Sequence, residues 1–139
     1  MKIGVPKETA EGERRVALIP DVVKSLKKNE KVDVVVESGA GEAAGHTDAA
    51  YQEAGATVGA ADAAWGADIV LHVAVPSVDA ISRLNGNQIL ISHLNPWVAA
   101  DTNKALASAG VTAFAMEAIP RTTRAQAMDA LSSQAAAAG

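Results

Sequence analysis

The chain has 139 residues, 49% of them hydrophobic, so it is long enough to bury one sizeable core. A formal net charge of -4 and an aromatic content of 3% leave neither the positive field nor the stacking platforms of a nucleic-acid surface. With no cysteine, the chain has neither a disulfide framework nor a thiolate metal site.

Taken in chain order, short apolar β-branched runs alternate with alanine-rich stretches of helical period. Residues 2–6 read as a strand entering the fold, since no long apolar stretch follows Lys2 as in a signal peptide. Further strands are expected at 32–37, 57–58, 69–75, 89–94 and 112–116, and helices at 21–29, 47–54, 61–65, 78–84, 99–109 and 123–138. Pro20-Asp21 and Asp48 are candidate helix starts, and Gly55 and Gly110 candidate stops. The near-continuous apolar run Ile69-Val-Leu-His-Val-Ala-Val75 fits a strand covered on both faces, and it is far too short to span a bilayer. The expectation is one α/β domain: an open, mainly parallel sheet of Rossmann/flavodoxin-like type with helices on both faces, soluble and cytoplasmic. The closing residues Ser132 to Gly139 end inside a helical pattern, as a fragment would.

Several features invite a functional reading. The charged loop from Lys7 to Pro20 follows the first strand, where open α/β sheets bind ligands. Arg14 or Arg15 there is either an anion clamp or part of a solvated, salt-linked loop. Gly39, Gly41 and Gly45 resemble a dinucleotide loop, but the spacing is G-x-G-x-x-x-G and no acidic residue closes a following strand. A structural glycine turn is therefore expected. His46, His72 and His93 lack metal-site spacing; His72, within a strand, reads as a satisfied core histidine. No serine elbow accompanies His93, so nucleophilic catalysis has little support.

The segment from Pro120 to Gln134 is the densest in polar groups. Arg121 and Arg124 precede Gln126, Asp129 and Ser132, which recur every three residues and so stay near one helical face. Ala125, Met128, Leu131 and Ala135 form the adjacent apolar stripe. Thr123-x-x-Gln126 also matches a capping box, a purely local account of Gln126. The polar row suits a carboxamide: carboxylate and hydroxyl accept from its NH2, and a guanidinium donates to its C=O.

Met116-Glu-Ala-Ile-Pro-Arg-Thr-Thr-Arg-Ala-Gln-Ala-Met-Asp-Ala-Leu-Ser-Ser-Gln134 resembles the signature of the alpha subunit of proton-translocating NAD(P) transhydrogenases. The likeness extends to Lys2-Ile-Gly-Val-Pro-Lys-Glu8, Gly12-Glu-Arg-Arg-Val-Ala-Leu-Ile-Pro20 and Glu37-Ser-Gly-Ala-Gly-Glu42, stretches shared with alanine dehydrogenases. It implies the N-terminal portion of the non-fingerprint α/β domain of an NAD(H)-binding component, with the dinucleotide-fingerprint domain outside this chain. By motif, Arg121, Asp129 and Ser132 would hold the nicotinamide carboxamide of NAD(H). Gln126 would reach toward the partner component that binds NADP(H). The implied activity is hydride transfer between NADH and NADP+, coupled to proton movement across a membrane through partner membrane subunits. The implied state is a homodimer on the cytoplasmic side, peripheral to the membrane, with no catalytic acid or base of its own.

Alanine dehydrogenases offer the rival comparison. Arg15 matches their substrate arginine and His93-Leu-Asn95 resembles the stretch of their catalytic histidine, but His72 stands where they have a substrate-binding lysine. They lack the motif from Arg121 to Ser133. A non-catalytic dimerisation or docking module is the third reading. Ala136 and Ala137 depart from the transhydrogenase pattern.

Overall fold

A computed structural model of the chain describes residues 1–130, 132, 135 and 136. Its elements run β1 (Lys2–Val5), α1 (Pro20–Leu26), β2 (Asp33–Glu37), α2 (Asp48–Glu53), β3 (Thr57–Gly59), α3 (Ala61–Trp65), β4 (Ile69–Leu71), α4 (Val78–Ile81), β5 (Ile89–Ser92), α5 (Ala100–Ala109) and β6 (Thr112–Ala115). The strands form one six-stranded sheet in the order β3-β2-β1-β4-β5-β6, every pair parallel. The chain starts at the centre, builds outward to β3, then crosses back beyond β1 to build the other half. The two halves meet between β1 and β4, the switch point where open α/β sheets leave a crevice.

Side-chain alternation along the strands divides the core into two layers. Ile3, Val5, Val34 and Val36 point to one face, against Val23 of α1 and Tyr51 of α2. Val70 and Leu90 point to the other, against Trp65 of α3, Ile81 of α4 and Leu106 of α5. Helices thus cover both faces, as expected. On the first face the cover is incomplete: Leu71, Ile91 and Phe114 are in register across β4, β5 and β6, and Phe114 is 55% exposed. Gly4 of β1 lets α3 sit directly on the sheet, since a Cβ there would lie 1.9 Å from the Ala64 carbonyl oxygen.

Local signals explain most boundaries. Pro20 occupies the first turn of α1, where its missing N–H costs nothing. Thr47 and Ser77 cap α2 and α4 by accepting the N–H of Ala50 and Ala80. Gly110, at φ 68°, ends α5 in the left-handed conformation that favours glycine. Two expected elements differ. The strand expected over 69–75 stops at Leu71, because the amides of Val73 and Ala74 turn away to a carboxylate. The helix expected from Thr123 does not begin there: residues 123–125 turn, and Gln126–Met128 form a single 3-10 turn. Residues 130, 132, 135 and 136 are helical. The rest of that expected helix, including Leu131, Ser133 and Gln134, lies outside the described residues.

Candidate functional site

The carboxyl ends of the strands carry several concavities, two of which meet at Asp129 and Ala130. One, about 300 Å³, is lined by Arg121, Thr122, Thr123, Gln126 and Asp129. Its wall is the turn after β6 rather than one helical face. The capping box does not form: Gln126–Met128 is preceded by Ala125 with no side-chain cap, and Ala125 N–H bonds the Thr122 carbonyl at 3.0 Å. Asp129 acts as the cap instead. Its carboxylate accepts Ser132 N–H at 3.0 Å and Ser132 Oγ–H at 2.7 Å. Asp outranks Thr at this position, and the later helix start releases the Gln126 side chain to the cleft. Arg121, Gln126 and Asp129 therefore line one space, and Ser132 reaches it through Asp129.

The second cavity, about 420 Å³, lies over the half-covered sheet face. Leu71, Ile91, Val16, Ala17 and Met116 give it an apolar lining, and Arg15, His72 and His93 give it polar groups. Ala130 is in its wall, next to Asp129 in the first cleft. Arg15 is held by Glu13, through Nε–H to Oε1 at 2.8 Å and Nη2–H to Oε2 at 2.6 Å. This fork lowers the Glu13 carboxyl from 4.5 to about 2. Arg14 is exposed.

His72 is buried and hydrogen-bonded, as expected of a satisfied core histidine, and it also borders the second cavity. Its side chain is 5% exposed and its Nδ1 lies 2.7 Å from the Ala74 carbonyl oxygen and 3.3 Å from Glu8 Oε2. The Trp65 ring packs beside it with centroids 5.5 Å apart. Glu8, 3% exposed, accepts Val73 N–H at 2.6 Å and Ala74 N–H at 3.1 Å. The Ala74 carbonyl also accepts Ser92 Oγ–H at 2.8 Å. At the end of β5, Glu117 accepts Leu94 N–H at 2.9 Å and also Asn95 N–H, with His93 Nδ1 at 3.7 Å. Neither Glu8 nor Glu117 stands out in the sequence. The only signal is a carboxylate just beyond a strand end in each case.

The glycine loop closes on itself. Gly39 N–H donates to Asp48 Oδ1 at 2.8 Å, Ala40 N–H to the Glu37 carbonyl at the end of β2, and the N–H groups of Glu42, Ala44, Gly45 and His46 to carbonyls within the loop. Most of the donors that a pyrophosphate would need are thus engaged within the protein. Gly41 is required for packing, since a Cβ there would lie 2.5 Å from the Tyr51 ring. Among the described residues, no group of three or more His, Cys, Asp or Glu side chains is arranged to hold a metal ion.

This architecture defines a parallel α/β domain with its polar clefts at the carboxyl edge of the sheet. Residues 4–138 match the family described as alanine dehydrogenase/PNT, N-terminal domain, and the chain belongs to that family. It is 45% identical over 141 residues to the NAD(P) transhydrogenase subunit alpha of Cereibacter sphaeroides, covering all of this chain and 27% of that protein. A crystal structure of transhydrogenase from Sinorhizobium meliloti superposes with a TM-score of 0.92 at 44% identity, over 97% of this chain and 40% of that one. An L-alanine dehydrogenase structure is more distant, with a TM-score of 0.84 at 34% identity over 89% of this chain and 34% of that one. The chain thus spans well under half the length of these relatives, and among them it is nearer to the transhydrogenases.

Proposed function

We propose that the turn from Arg121 to Ser132 receives the carboxamide end of NAD(H), within the NAD(H)-binding component of a proton-translocating transhydrogenase. The observation that supports this is the convergence of Arg121, Gln126 and Asp129 on one cleft of about 300 Å³. A carboxamide needs one donor for its oxygen and acceptors for its NH2, and this set supplies both. Arg121 donates to the amide oxygen. Asp129, which also accepts from Ser132, accepts the amide hydrogens. Gln126 faces a partner component carrying NADP(H). Direct hydride transfer between two nicotinamides asks the protein for orientation rather than for an acid or base.

The rest of the reading follows from the likeness to transhydrogenase alpha subunits. The whole protein would be a homodimer, peripheral to the cytoplasmic face of the membrane, with membrane subunits that pass protons. No helix among the described residues is long and apolar enough to cross a membrane. The test is hydride transfer from NADH to an NADP+ analogue by the full-length protein with its partner component. Arg121→Ala and Asp129→Asn should each lower the rate by at least about tenfold, the loss expected when a positioning contact is removed. Unchanged rates in both variants would sink the assignment and favour a docking role.

One observation favours a second reading. Arg15, His72 and His93 line a single cavity, as a small carboxylate substrate of an amino-acid dehydrogenase would require. NADH-dependent reduction of pyruvate with ammonia by the full-length protein tests that alternative directly.

A further inference from the structure

β4 and β5 end in the same device. After β4, His72 is followed by two amides, Val73 N–H and Ala74 N–H, that both donate to Glu8 at 2.6 and 3.1 Å. After β5, His93 is followed by Leu94 N–H, which donates to Glu117 at 2.9 Å, and Asn95 N–H, which donates to the same carboxylate. Each histidine turns its Nδ1 toward its own carboxylate, at 3.3 Å for His72 and 3.7 Å for His93. Each carboxylate comes from the flanking strand, Glu8 from the loop after β1 and Glu117 from the turn after β6.

Adjacent N–H groups at the carboxyl end of a parallel sheet form a donor pair of the kind that ligands take at a switch point. Here the chain's own carboxylates take them. What remains for a ligand is the imidazole in front of each pair; His72 and His93 both line the cavity of about 420 Å³, and His72 also borders one of about 410 Å³ on the side of Trp65. For His72 the ring is fixed as well as placed. The Ala74 carbonyl oxygen 2.7 Å from Nδ1 can only accept, so the proton sits on Nδ1. Nε2 has no hydrogen-bond partner among the described residues and is not sealed from solvent.

We propose that Glu8 and Glu117 are a matched pair of positioning residues, each fixing the imidazole beside it so that His72 and His93 present defined ring edges to a ligand in the shared cavity. The identity of that ligand rests on the NAD(H) reading: Ala130 in the cavity wall adjoins Asp129 in the carboxamide cleft. The paired arrangement makes a specific demand. Each carboxylate governs its own histidine and not the other.

The experiment uses the full-length protein labelled with 15N only at histidine, whose ring correlations report which nitrogen carries the proton. His72→Asn and His93→Asn assign the two signals. His72 is expected with its proton on Nδ1. Glu8→Gln should move the His72 signals and leave His93 in place, and Glu117→Gln the reverse. NADH added to the wild-type protein should shift both histidines. The NADH Kd should rise about tenfold in each glutamine variant, the scale seen for orienting partners behind metal-bound imidazoles. A His72 proton on Nε2 overturns the proposal. So does a variant that moves both histidines alike or neither, or an unchanged Kd in variants whose own histidine has moved. If the wild-type protein binds no NADH, the nucleotide reading falls, while the tautomer and the crossed pattern still decide the clamps. If Glu8→Gln does not fold, the wild-type tautomer and the Glu117→Gln spectrum carry the test.

Discussion

The Asp129 carboxylate takes both hydrogen bonds that Ser132 can donate, from N–H at 3.0 Å and from Oγ–H at 2.7 Å. One side chain therefore starts a helix and lines the cleft assigned to the carboxamide. The two roles separate by substitution. Asp129→Ala removes the cap and should cost about 1 kcal/mol, whereas Asp129→Asn keeps an accepting oxygen and should cost a few tenths. NADH affinity should fall in both. Thermal unfolding and calorimetric titration of the full-length protein read the two effects independently, and full affinity in both variants would reduce Asp129 to a cap.

The fork between Arg15 and Glu13 gives stability a pH dependence of known sign. The guanidinium lowers the Glu13 carboxyl from 4.5 in its ordinary state to about 2. A depressed folded value means stabilisation that is complete above 4.5, declines as pH falls below it, and is gone near 2. The urea midpoint of Glu13→Gln should therefore lie below wild type by a constant gap near neutrality, and the gap should close on acidification. A gap that stays the same at pH of about 3 would show that the fork contributes nothing to folding.

Gln88, 5% exposed, joins three backbone groups: its amide NH2 donates to the carbonyls of Trp65 at 2.7 Å and Ala67 at 2.6 Å, and its Oε1 accepts Asn85 N–H at 2.8 Å. Gln88→Ala strands these groups and should cost roughly 2–4 kcal/mol in chemical denaturation. Gln88→Glu should be worse at neutral pH, since it replaces the donors with a charge facing two carbonyl oxygens. A glutamate variant as stable as wild type would contradict the network.

The glycine loop should be silent in nucleotide binding. Asp48 accepts Gly39 N–H at 2.8 Å and Ser38 Oγ–H at 2.6 Å, so Asp48→Ala should loosen the loop and lower the melting temperature. NADH affinity of the full-length protein should be unchanged, because most of the loop's amides are already engaged within the protein. By the same reasoning residues 1–139 alone should bind NADH weakly or not at all. Tight, saturable binding to that piece in calorimetry would show that this domain carries its own phosphate site.

Much of this architecture is written locally. The β-branched runs at 32–37, 89–94 and 112–116 place β2, β5 and β6 to within two residues, and Pro20, Thr47 and Gly110 mark helix ends by their own chemistry. The misreadings arise where distant residues intervene. β4 is shorter than its apolar run because Glu8, 65 residues upstream, takes the amides of Val73 and Ala74. The last helix starts late because Thr123 and Asp129 compete as caps, and spacing alone does not rank them. Arg121, Gln126, Asp129 and Ser132 are legible as a polar set, but for the wrong geometry: a turn, not three-residue steps along one helix, gathers the first three.

Gly4 sets a different kind of limit. At this point α3 rests on β1 through main-chain atoms, with no side chain between them, since even a methyl group would reach within 1.9 Å of the Ala64 carbonyl oxygen. Core contacts between side chains can drift through compensating exchanges of volume. A contact between two backbones offers evolution nothing to exchange. Trp65 follows Ala64 in the chain and packs its ring beside His72, so the backbone contact at Gly4 fixes where the residue that packs on the imidazole leaves its helix. A side chain exchanged at position 72 would then enter the cavity from the same place on the backbone, whatever its chemistry.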